Sequence, residues 1–148
     1  MKGSQALRSA LKQGFYPFVL SKGFAQGKAT ALFTPFARIA DGKAQFFEIQ
    51  WDKYRRPCFV INFGDRPYPA ADDASPAYCG RLQRRRGGSM RAWFQTRKPW
   101  LEALRTWRRY YEPEEVVTQL IECFAELETW WSSGEEGPHL QMWRKRGD

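Results

Sequence analysis

A chain of 148 residues with 24 Lys and Arg against 16 Asp and Glu, 43% apolar and 16% aromatic, holds too many bulky side chains for a disordered polycation. It is long enough to bury roughly 68–70% of its unfolded surface without disulfides or a structural metal as staples. Cys58, Cys79 and Cys123 are odd in number and form no CxxC pair, which excludes a complete disulfide framework and points to reduced thiols.

After Ser4, a suitable N-cap, Leu7, Ala10, Leu11, Phe15 and Phe18 recur at steps of three and four, the mark of an amphipathic helix. Pro17 cannot donate to the Gln13 carbonyl, so the helix should kink or end near Tyr16 and turn by Gly23. The apolar run 15–20, broken by Pro17, is too short for a signal peptide or a membrane span, and a cytoplasmic, non-membrane protein is expected.

From Thr30 the period changes to two. Residues 31–40, Asp41-Gly42 and residues 43–51 read as a hairpin, because Asp-Gly tolerates the positive φ angles of a tight primed turn. Phe47, Ile49 and Trp51 would share one face, with Phe46, Glu48 and Gln50 on the other. Pro35 points to an edge strand or a bulge. Residues 58–63 are nearly all apolar and suit a central strand, 65–76 carry loop chemistry, 77–86 form a further strand, and 90–95 an extended piece after Gly87-Gly88-Ser89.

Pro99 opens a helix through Tyr110 with Trp100, Leu104, Trp107 and Tyr111 on one stripe. A second helix runs from Pro113 to about Trp131, its apolar face formed by Val117, Leu120, Ile121, Phe124, Leu127 and Trp131, and Ser132-Ser133-Gly134 stops it. The expected fold is α+β: an antiparallel sheet of four or five strands with the N-terminal and C-terminal helices packed on one face, the opposite face partly open. Residues 1–134 make one domain and 135–148 an irregular C-terminal tail.

Charge is segregated: residues 1–111 carry 21 basic and 7 acidic side chains, residues 112–148 carry 3 and 9. An acidic last helix beside a basic sheet would neutralise part of the total, so net charge alone argues little for nucleic acid. The densest basic feature is Arg81-Leu82-Gln83-Arg84-Arg85-Arg86, followed by Arg91, Trp93, Arg97 and Lys98. In an extended chain Arg84 and Arg86 face one way and Arg81 and Arg85 the other, so at least one guanidinium fork meets solvent or a phosphate. The bland alternative is a solvated strand end that guards a sheet edge. The candidate ligand-binding set is Arg81, Arg84, Arg85, Arg86, Arg91 and Trp93. Trp93, Trp100 and Trp107, seven apart, could stack bases between arginines, but the same spacing suits a helix packing on a sheet, and the core reading is preferred. Of Trp130 and Trp131, adjacent on a helix, one should be exposed or lie under the tail.

For catalysis the chain offers little. His139 stands alone in a Gly-Pro-flanked tail, and Glu122 with Glu126 is a pair that exposed helices routinely show. Asp41 with Glu48-Ile-Gln50 is similar to the acidic pattern of certain nucleases, with Gln50 where a lysine is wanted and Asp41 explained by its turn. No enzyme activity, cofactor or metal is expected, and no phosphate-loop, zinc-finger or ribonucleoprotein signature is present.

The order of features resembles an uncharacterised, largely bacterial family, domain of unknown function 4304. The matching pieces are Leu20-Ser21-Lys22-Gly23-Phe24 closing the first helix, Phe59-Val60-Ile61-Asn62-Phe63-Gly64, Cys79-Gly80-Arg81-Leu82-Gln83-Arg84-Arg85-Arg86-Gly87 with Trp93 after it, and a last helix with paired tryptophans. The likeness covers most of residues 7–131 and implies a small α+β domain with no established activity. The functional expectation is a non-catalytic interaction module that binds a protein or a small anionic ligand through a basic and aromatic sheet face. The alternative is nucleic-acid binding by the segment from Arg81 to Trp93.

Overall fold

The computed structural model describes residues 3–69 and 77–143. The first helix is one rod in three pieces: α1 (Gly3–Ala10), a π-helical turn (Leu11–Phe15) and α2 (Tyr16–Ser21). Pro17 explains the middle piece. It has no N–H for the Gln13 carbonyl, and the chain widens by one residue so that Tyr16 N–H reaches Leu11, five residues back. The helix therefore neither ends nor breaks at Tyr16. It continues to Ser21 and turns at Gly23, whose φ is 93°. Leu7, Leu11, Phe15 and Val19 stay on one buried stripe throughout.

Among the described residues seven strands follow the helical rod: β1 (Ala25–Gln26), β2 (Phe33–Ala40), β3 (Lys43–Trp51), β4 (Cys58–Pro67), β5 (Gly80–Leu82), β6 (Phe94–Gln95) and β7 (Leu140–Met142). Every pairing is antiparallel, in the order β1-β2-β3-β4-β5-β7, with β6 beside β5 on the same edge of β4. Asp41 and Gly42 both adopt positive φ, 54° and 72°, as a tight hairpin between right-twisted strands requires. Pro35 sits in β2, which only the two-residue β1 covers, and its carbonyl takes the Gly27 N–H at 2.9 Å. β4 is central and runs on to Pro67; the rest of the expected loop, residues 70–76, lies outside the described residues.

The sheet is α+β and antiparallel as expected, with more strands because two very short ones escape a period-based reading. The expected irregular tail is corrected by β7: Leu140 sits opposite Leu82 and is buried, so the tail closes the sheet. The strand expected over residues 77–86 shrinks to three residues because Gln83 turns inward and the chain leaves the sheet at Arg84. No helix among the described residues is long and apolar enough to cross a membrane.

The two ends pack together on one sheet face. α4 (Pro113–Ser133) starts with a reciprocal cap between Glu112 and Glu115 and stops at Gly134, φ 80°. Its Phe124 meets the rings of Phe15, Phe18, Phe24, Phe47 and Trp131 at centroid distances between 5.4 and 6.0 Å. Trp130 and Trp131 are both buried, one on Phe63 and the other donating Nε1–H to the Gly64 carbonyl at 3.0 Å. α4 thus carries a wider apolar face than its period suggests.

Arg38 ties these layers together. Its guanidinium donates to Glu128 Oε1 (2.6 Å), Gln45 Oε1 (2.7 Å) and the Lys22 carbonyl (2.9 Å), and lies 4.3 Å over the Phe24 ring. Truncation leaves those acceptors short of a donor, so Arg38→Ala is expected to lower the unfolding free energy by ~2–3 kcal/mol in urea titrations. Arg38→Lys should recover only part of it, since a single ammonium cannot reproduce the fork.

Two expectations about aromatic burial are corrected. α3 (Trp100–Thr106) ends early, at Trp107 with φ 58°, and buries none of its residues. Trp100 and Trp107, expected in the core, are 68% and 90% exposed. The helix is an outrigger held by its ends, through Lys98 N–H to the Arg109 carbonyl and Tyr111 N–H to the Thr96 carbonyl. The second correction concerns the sheet face away from the helices, whose centre is covered. Cys58, Val60 and Trp93 form a small second core with Met90, and Tyr78 packs edge-on against Phe46.

Candidate functional site: a cationic cleft at the end of the sheet

Where β4 begins and β6 ends, the chain leaves a cleft of about 930 Å³. Its lining holds five arginines and a lysine, Arg56, Arg84, Arg85, Arg91, Arg97 and Lys98, with Trp100 and Tyr110 and, among the described residues, no carboxylate. Three segments build it: the turn before β4, the connection between β5 and β6, and the approach to α3.

The connection owes its shape to amide side chains. Gln83, buried, donates Nε2–H to the Arg85 and Gly87 carbonyls (3.4 and 3.1 Å), and Gln95 donates to Met90 and Trp93 carbonyls (2.8 and 3.2 Å). Ser89 caps the 3₁₀ turn Met90–Ala92 by accepting Arg91 N–H. Each amide satisfies loop carbonyls that no strand partner reaches, so that Arg85 and Arg91 between them are not needed to hold the loop.

The six cations are not equivalent. Arg84 is half-buried and donates to the Arg91 and Arg97 carbonyls at 2.9 and 2.6 Å, clamping the two walls; burial lowers its affinity for the proton. Lys98 is buried, bonded to Thr106 Oγ1 at 2.9 Å and set 5.3 Å over the Tyr111 ring. Arg56 grips Asp52 with two forks, 2.8 and 3.1 Å, so its charge is matched. Arg85, Arg91 and Arg97 are exposed, and among the described residues their side chains make no hydrogen bond or ion pair. These three line the cleft with their full donor sets.

Asp52 underlies the Arg56 corner of the cleft. The Arg56 side-chain hydrogen bonds, then its backbone N–H, hold the Asp52 carboxyl below the usual carboxylate range although burial opposes this. A carboxyl depressed on folding stabilises the protein above its unfolded pKa of about 3.9, and the contribution is lost as pH falls through the lower folded value. Asp52→Asn is therefore expected to destabilise at neutral pH and to flatten the decline in stability below about pH 4, as read from urea midpoints across pH.

The candidate set from the sequence divides in four. Arg84, Arg85 and Arg91 meet in the cleft. Arg81 points to the sheet face away from the helices, beyond the second core from the cleft, where it donates to Asn62 Oδ1 (3.0 Å) and Gln50 Oε1 (3.2 Å), with Asn62 bonded in turn to Glu48 (2.7 Å), and lies near the Trp93 and Trp143 rings. Arg86 reaches back to the Leu140 and Gly137 carbonyls and straps the tail down. Trp93 is buried in the second core, where it packs with Cys58 and Val60 and does not line the cleft. The acidic helix neutralises part of the sheet, since Glu128 pairs with Arg38, but among the described residues its other ion pairs also fall outside residues 81–91: Glu112 and Glu115 pair with Arg108, and Glu126 with His139.

Arg56, Arg97, Lys98, Trp100 and Tyr110 were missing from that set. A signal existed in the basic turn Lys53-Tyr54-Arg55-Arg56 and in Arg97-Lys98, but pairing them needs the β4–β6 register, Cys58 opposite Gln95, which no local pattern announces. The nuclease-like reading finds no support in the geometry, since Asp41 sits in the hairpin turn and Glu48 seven residues along β3, about 20 Å away. Cys58 borders the cleft, but burial first and Asp52 next push its thiol up to about 11, leaving it protonated at neutral pH. The chain matches no family model, no curated protein and no solved structure.

Proposed function

We propose that this protein is a non-catalytic binding module for a short single-stranded nucleic acid, seated in the cationic cleft. The observation that carries the reading is the convergence of exposed Arg85, Arg91 and Arg97 with exposed Trp100 and Tyr110 around a hollow without carboxylates. Guanidinium forks suit phosphate oxygens, and aromatic faces at the rim give bases something to stack on at ~1–3 kcal/mol each. The protonated Cys58 thiol and the engagement of His139 by Glu126 favour binding over chemistry. An odd number of cysteines, with Cys58 and Cys123 buried as free thiols, favours a reducing, cytoplasmic setting.

A second reading rests on α3, whose Leu101, Leu104 and Trp107 present an exposed apolar edge suited to a protein partner. Anisotropy titrations of a short labelled oligonucleotide and of a labelled leucine-rich amphipathic peptide, with a nucleoside monophosphate as competitor, separate the two. The proposal expects the oligonucleotide to bind and an unlabelled one to displace it best. Binding of the peptide but not the oligonucleotide would replace it with the second reading, and displacement equally well by the monophosphate would reduce the ligand to a small phosphate.

A further inference from the structure

On its way from α4 to β7 the chain crosses back over the helix, and the crossing gathers three metal-ligating side chains from two segments. Cys123 and Glu126 are three residues apart on α4 and so share a face. His139 comes down on them from the tail, and a cysteine sulfur, a carboxylate oxygen and a ring nitrogen lie within 4.8 Å of one another. Glu126 is already held at both oxygens by one residue: Oε1 accepts the His139 backbone N–H at 2.8 Å, and Oε2 sits against His139 Nδ1.

The crossing is built for close approach. A Cβ on Gly137 would fall 2.1 Å from Glu126 Oε1, so a side chain there would push the carboxylate aside, and Arg86 fastens the Gly137 and Leu140 carbonyls on either side of His139. A surface hollow of about 330 Å³, bordered by Glu126, Thr129, Glu135 and Gly137, opens beside the carboxylate.

We propose that Cys123, Glu126 and His139 form a binding site for a zinc-class divalent cation, its fourth position open to water through that hollow. Thiolate, imidazole and carboxylate are the donors that borderline-soft Zn²⁺ takes, at about 2.3, 2.0–2.1 and 2.0–2.2 Å, whereas the sulfur disfavours Ca²⁺ and Mg²⁺. Tetrahedral donors at those lengths stand about 3.3–3.6 Å apart, so the sulfur closes by little more than an ångström, while the Glu126 and His139 side chains give up their direct contact and spread to admit the cation. Binding breaks the Cys123 S–H bond, releases that proton to solvent and leaves the imidazole proton on the ring nitrogen turned away from the cation. A cation here links α4 to the strand that closes the sheet, and it is separate from the cationic cleft.

The test is titration of the chelator-treated full chain with Co²⁺, followed by displacement with Zn²⁺. The proposal expects one equivalent of cobalt with a sulfur-to-metal charge-transfer band and visible bands of tetrahedral intensity, both bleached by zinc. Cys123→Ala is expected to abolish the charge-transfer band, and His139→Ala to weaken zinc binding at least tenfold, with unchanged far-ultraviolet circular dichroism. Zinc should raise the Tm of the wild-type chain and not that of Cys123→Ala. Cobalt spectra of the wild-type chain without a thiolate band would overturn the proposal, and that outcome needs no variant to fold. Wild-type zinc affinity in both variants would overturn it equally.

Discussion

Phe124→Ala is expected to lower the unfolding free energy by ~3–5 kcal/mol, a large part of the 5–15 kcal/mol typical of a domain. Phe124 is fully buried where α4 meets the helical rod and the hairpin, and five aromatic rings surround it. Its removal forfeits transfer free energy and edge-on ring contacts together, and leaves a cavity that rigid aromatic neighbours cannot fill. Urea unfolding with an unchanged slope measures the loss. The informative control is Trp107→Ala, a larger truncation at a residue 90% exposed, which should stay within ~0.5 kcal/mol of wild type. Comparable losses in the two variants would contradict the assignment of Phe124 to the core and Trp107 to the surface.

Replacing Arg85, Arg91 and Arg97 together by alanine is expected to weaken oligonucleotide binding by roughly 10²–10³-fold at low salt, as three charge-assisted contacts at about 1–1.5 kcal/mol each would. None of the three side chains holds another described residue, so thermal stability should scarcely change. Arg86→Ala makes the contrast. It lies in the same arginine run but bonds the Gly137 and Leu140 carbonyls, so it should lower stability and leave affinity nearly untouched. Equal effects of Arg86→Ala and the triple replacement on affinity would mean that the run acts as undifferentiated charge and that the cleft has no particular role.

What the sequence reveals and what it hides follow from the reach of each signal. Asp41-Gly42 announces its hairpin because the positive φ of both residues is a local property, and Pro113 and Gly134 bound α4 for the same reason. Alternation places Phe47, Ile49 and Trp51 correctly on the core face. A period states which residues share a face and nothing about what covers that face. The stripe through Trp100, Leu104 and Trp107 therefore reads like that of α4, yet α3 lies off the sheet and leaves it bare. β1 and β7, at two and three residues, are too short for a period and exist only through their partners. The cleft was half legible: Arg84, Arg85 and Arg91 stand in the basic run, whereas Arg56 and Trp100 join them only through the pairing of β4 with β6.

The binding account is tested most directly by the salt dependence of single-strand affinity, measured from about 50 to 200 mM salt, the range over which phosphate contacts lose most of their strength. Three unpaired guanidiniums, each releasing about 0.7 of a counterion from a single strand, predict a slope of log K against log salt near −2, falling close to zero in the triple variant. Absence of binding at the lowest salt, or the same slope in wild type and triple variant, would contradict it.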